Sequence, residues 1–100
     1  MLMDFETFKS SLNDQAPHPN LSPALRALWH DARGDWHTAH ELAQAQGDRD
    51  GAWVHAYLHR KEGDAANAAY WYRRAGQRAS TLTTEAEWEA LVRALLEQPG

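Results

Sequence analysis

Residues 52–76 read AWVHAYLHRKEGDAANAAYWYRRAG, and the reading of this stretch decides the fold. It holds five of the ten aromatic residues, Trp53, Tyr57, Tyr70, Trp71 and Tyr72. Gly63-Asp64 divides it. Glycine adopts the left-handed backbone that closes a helix, and aspartate accepts the free N–H groups that open the next one. The stretch therefore predicts two antiparallel helices joined by a tight corner, with an apolar seam of their own.

Toward the N-terminus the pattern repeats. At an offset of 29 residues, Gly34-Asp35 falls on Gly63-Asp64, Ala27 on Ala56, Leu28 on Tyr57, His30 on His59, Ala39 on Ala68, Leu42 on Trp71 and Gly47 on Gly76. Small residues recur where two helices approach closely, and large ones where the gap needs filling. Ser22-Pro23 starts this first copy, a serine cap followed by proline in the first turn. Its first helix runs to about Arg33 and buries Leu25, Leu28 and Trp29; its second presents Trp36, Ala39, Leu42 and Ala43. Gly47 is expected to close it, with Asp48-Arg49-Asp50-Gly51 as a polar turn.

The flanks read as helices that cover this core. Residues 4–13 set Phe5, Phe8 and Leu12 on one stripe behind Asp4, a helix too short to persist undocked. Pro17 and Pro19 then force an extended connector around His18. Thr84-Glu85-Ala86-Glu87 fits a capping box, with Thr84 as cap and Glu87 reaching back. Trp88, Leu91, Val92 and Leu95 follow at one-faced helical spacing, and Pro99-Gly100 is the expected stop. The expectation is one all-α domain over residues 1–100. It comprises a docking helix (4–13), two stacked helix-turn-helix hairpins (22–76) and a capping helix (84–97).

This pattern resembles the tetratricopeptide and Sel1-like helical repeats. Ala56, Gly63-Asp64, Ala68, Tyr72 and Ala75 match their positions in order; the first copy matches with Ala27, Gly34-Asp35 and Ala39, and carries Ala43 and Gln46 at the last two places. Both copies are shorter than the 34-residue tetratricopeptide unit. Residues 53–76 are also similar to the core of small uncharacterised bacterial helical proteins, a likeness that implies no activity. The repeat resemblance implies binding of a protein or peptide as the role.

Composition narrows the classes. Apolar content of 43% with ten aromatics belongs to a folded chain, and the absence of cysteine removes disulfides, thiolate metal sites and a cysteine nucleophile. MLMDFETFKSSL lacks a basic segment followed by an apolar run, and no segment has the length of a membrane span, so a cytoplasmic location is expected. The net charge of −4 is uneven. Residues 51–80 carry Arg60, Lys61, Arg73, Arg74 and Arg78 against Glu62 and Asp64, a surplus of three cations in an acidic protein.

Two constellations carry chemistry. Tyr70, Trp71 and Tyr72 point about 100° apart on a helix, so they cannot all enter one core. Trp71 and Tyr72 are expected in the core, with Tyr70 at its edge. Alternatively, Arg60, Tyr70, Trp71, Arg73 and Arg74 form an aromatic-basic surface for an acidic or phosphorylated peptide, or for a second copy of the chain. Five cations in an acidic chain make a poor tracker of phosphate backbones, so nucleic acid is not the expected partner. The second constellation is histidine. His55 and His59 stand at i, i+4, and the repeat places His30 beside His59, offering a metal site or a group of imidazoles that charge together below about pH 6.5. His37, His40 and Glu41 form a further cluster. No HExxH, G-x-S-x-G or glycine-rich phosphate loop is present, so neither catalysis nor a cofactor is expected.

Overall fold

Six helix starts are each written in one side chain. In the computed structural model, which describes residues 3–97, α1 (Phe5–Ser10), α2 (Pro23–Ala32), α3 (Trp36–Ala45), α4 (Arg49–Glu62), α5 (Ala65–Ala75) and α6 (Thr84–Leu96) account for the regular structure, with a 3-10 turn at Ser11–Asn13. The caps are Asp4, Ser22, Asp35, Asp48, Asp64 and Thr83, and each side-chain oxygen accepts the backbone N–H three residues on. Among the described residues there is no strand, and no helix is long and apolar enough to cross a membrane.

Both glycine–aspartate corners are breaks. Gly34 and Gly63 have φ of 83° and 94°, in the left-handed region, and Asp35 and Asp64 cap the helices that follow. α2 packs along α3, α4 along α5, and α3 lies against α4. α6 crosses onto α1, α2 and α4. The main core contains Phe8, Leu28, Trp29, Tyr57, Leu58, Leu91 and Val92, and a smaller cluster of Ala56, Ala68 and Tyr72 fills the α4–α5 seam. Alanines stand where helices touch: Ala27, Ala39, Ala43, Ala56 and Ala68 are all buried. α1 docks through Phe5 and Phe8, whose rings meet Trp88 at 5.9 and 6.0 Å. The radius of gyration, 12.4 Å, matches the ~13 Å of a packed chain of this length.

Three local expectations are corrected. Thr83, not Thr84, caps α6, so Glu87 sits one position deeper and turns inward instead of reaching back. Gly47 does not close α3: the cap is Gln46, in extended backbone, and Gly47 has no positive φ. Gly51 is no turn residue but lies in the first turn of α4, because the polar segment shrinks to a single capping aspartate, Asp48. The stop expected at Pro99-Gly100 lies outside the described residues.

Candidate functional site

A cluster of imidazoles gathers where α3 meets α4. One helical turn separates His55 from His59, so both rings leave the same face of α4. Their Nε2 atoms face each other at 3.0 Å. From α3, His40 closes on this pair, with ring centroids 4.6 Å from His55 and 5.2 Å from His59. One nitrogen from each of the three rings lies within 4.8 Å of the others. Glu62, a turn beyond His59, takes its Nδ1 at 2.6 Å.

Two tryptophans wall the trio. Trp36 stacks on His40 at 5.0 Å and is pinned by its indole N–H, which donates to the Leu58 carbonyl. Trp71 lies flat on His55, 3.9 Å between centroids and 14° between planes. His55 and His59 are buried and His40 is half-buried. Burial first, then the proximity of His40 and His59, drives His55 down to about 4, while burial and then His59 lower His40. At neutral pH these two rings are neutral, with nitrogen lone pairs available.

Outside this wall lies an open cleft of about 370 Å³. His55, Trp71, Arg49 and Arg74 line it, together with Asp48 and Gln46 from the α3–α4 connection. The Arg74 guanidinium sits 5.4 Å from the Trp71 ring and 5.8 Å from Tyr70, and it donates to the Tyr70 hydroxyl at 3.2 Å. Tyr70 is 44% exposed, Trp71 is half-buried and Tyr72 is buried. The three successive aromatics thus take edge, seam and core.

Arg60 belongs to another part of the molecule. Its guanidinium donates to the buried Glu87 at 2.6 Å and also to the Leu82 carbonyl, and Glu87 in turn accepts from the Tyr72 hydroxyl. A second carboxylate, Asp31, is equally buried and accepts from Tyr57 at 2.7 Å and from Lys61 at 3.0 Å. Each buried acid thus has a phenol and a cation as partners, and burial followed by the neighbouring acid raises the Tyr57 hydroxyl.

The structure brings His55 and His59 together and leaves His30 out. His30 stands on α2, edge-on to Trp29 at 5.0 Å, and is not part of the trio. The cluster of His37, His40 and Glu41 divides: His37 and Glu41 pair at the surface at 2.9 Å, while His40 turns inward. The spacing did carry a signal for His40, which lies beside the buried Ala39 and three residues before the buried Ala43 on α3. Of the basic residues expected on one surface, Arg74 and the exposed Arg73 share the outer side of α5, whereas Arg60 is drawn into the ion pair with Glu87. Arg49, from the start of α4, takes its place at the cleft. No protein-family model, curated protein or solved structure matches this chain.

Proposed function

We propose that this chain is a small non-catalytic interaction module that binds an acidic peptide segment. In this reading α2–α3 and α4–α5 act as two stacked hairpins of tetratricopeptide type, and the peptide lies along the cleft at their junction. The observation that carries it is the posture of Arg74. Its guanidinium spans Tyr70 and Trp71 at the rim of a cleft that also holds Arg49. A planar cation already held against two rings presents its remaining donors to a carboxylate in a fixed orientation. Carboxylate side chains match the two arginines, and an apolar neighbour matches the indole face. Arg73 on the same helix adds to the field.

The test is fluorescence anisotropy of short synthetic peptides, alternating Glu or Asp with Leu or Phe, against the intact protein at low and physiological salt. Binding that weakens with salt, and that the double variant Arg73→Ala, Arg74→Ala reduces by about tenfold or more, is the expected result. Binding unchanged in that variant, or none to any acidic peptide, removes the reading. Self-association through the same face appears instead as a concentration-dependent mass in sedimentation equilibrium, abolished by the same two substitutions.

A further inference from the structure

We propose that His40, His55 and His59 form a three-imidazole binding site for a divalent first-row transition ion, with Zn²⁺ as the fitting case. The site is distinct from the peptide-binding reading; the two share His55 and Trp71, which also line the cleft.

Geometry carries the inference. Tetrahedral zinc with Zn–N bonds of about 2.0–2.1 Å holds its ligand nitrogens about 3.3 Å apart. The two facing Nε2 atoms of His55 and His59 stand at 3.0 Å, and the His40 nitrogen completes a triangle no wider than 4.8 Å. A rotation of the half-buried His40 ring about its side-chain torsions closes the difference. The three ligands come from two different helices, and α3 and α4 are locked together by buried Ala39 and Ala43 and by the Trp36 indole bond to Leu58. The site is therefore built into packed elements.

The surroundings suit a cation. Glu62 sits 2.6 Å behind the Nδ1 of His59, the place where metal-bound histidines characteristically find a carboxylate. That contact fixes the proton on Nδ1 and aims the Nε2 lone pair at the centre. Coordination by His55 through Nε2 moves its ring proton to Nδ1, so that both facing nitrogens present lone pairs. The cations nearest in sequence are occupied elsewhere, Arg60 with Glu87 and Lys61 with Asp31. Trp36 and Trp71 flank the trio, and the cleft beside His55, whose lining also includes Arg49 and Arg74, provides access. Three neutral nitrogen ligands leave a fourth position for water or a small anion, and imidazole donors select zinc, copper, nickel or cobalt over magnesium and calcium.

The experiment uses untagged full-length protein, stripped with a chelator and titrated with ZnCl₂ by calorimetry and with CoCl₂ by visible absorption. One ion per chain, an intense tetrahedral cobalt band and a raised thermal midpoint with zinc are expected. His40→Gln, His55→Gln and His59→Gln are each expected to abolish the cobalt band. Glu62→Gln is expected to weaken zinc by about 10–100-fold, whereas His30→Gln and His37→Gln leave it unchanged. His40→Gln is the deciding variant because the ring is half-exposed and its loss leaves the core intact, as far-ultraviolet circular dichroism will check. The proposal is overturned by absence of a bound ion at equimolar metal. Zinc affinity that His40→Gln leaves intact, or that His30→Gln reduces equally, overturns it as well.

Discussion

Gly51 stands in the first turn of α4, where an added Cβ would lie 1.8 Å from the Gln46 carbonyl oxygen. In an open helix, alanine is better than glycine by about 1 kcal/mol. Here the backbone collision wins, because neither the helix start nor the α3–α4 connection is a flexible side-chain end that moves cheaply. Gly51→Ala is expected to lower stability by roughly 1–3 kcal/mol, read as a fall in the urea midpoint at unchanged slope. Gly63 poses a different problem: it has open space around its Cα, but its φ of 94° strains any residue with a Cβ, at a cost of about 1–2 kcal/mol. The two glycines separate cleanly by what the sequence offered. The Gly63-Asp64 dipeptide announces its corner locally, whereas the need for glycine at 51 arises from a carbonyl five residues back and is visible only once the chain has folded over it.

At the scale of the element, the aspartate caps govern the acid behaviour. Asp4, Asp35, Asp48 and Asp64 each have their carboxyl held below the usual range by hydrogen bonds to the turn they cap. For a carboxylate lowered in the folded state, the contribution is fully present above the ordinary value near 3.8 and is lost as pH falls through the lowered one. The thermal midpoint is therefore expected to drop from about pH 4 downward. In Asp48, the Gly51 N–H and then the Gln46 amide provide the hydrogen bonds. Asp48→Asn keeps a competent cap at neutral pH and is expected to flatten this part of the profile. An identical acid slope in the variant would show that the Asp48 charge adds nothing beyond its hydrogen bond. The same caps explain why four of the six helix starts, at Asp4, Ser22, Asp35 and Asp64, were legible from residue type alone, whereas α4 begins inside the stretch 48–51 that reads as a polar turn. In α6 two threonines are adjacent, and local chemistry does not choose between Thr83 and Thr84.

At the scale of the whole molecule, that one-residue choice matters more than its size suggests. With Thr83 as cap, Glu87 is one residue too deep to reach back to the N-terminus; its spacing of four from Leu91 sets it on the buried stripe, where α6 meets α4 through Arg60 and α5 through Tyr72. Removing the acid strands a cation and a phenol in the interior. Glu87→Ala is expected to cost roughly 2–4 kcal/mol, less than a fully buried pair because Arg60 keeps some contact with water, whereas Glu87→Gln retains an acceptor and costs less. Chemical denaturation of both variants checks the order; equal losses would place the effect in helix packing and not in the pair.

The sequence by itself determined the elements: corner dipeptides, capping residues and apolar stripes are short-range signals, because a helix needs only its own backbone and one buried face. It also marked the tryptophans, tyrosines and histidines as the residues to watch. Only the tertiary structure decided who meets whom. His30 turns to Trp29 on α2 while His59 faces α3, so the two do not converge, and the third imidazole comes from α3 as His40. Arg60 reads as a surface cation in the sequence, yet a carboxylate 27 residues away draws it inward. Such choices depend on the rotation and packing of one helix against another, and a one-dimensional pattern of residue types does not contain those angles.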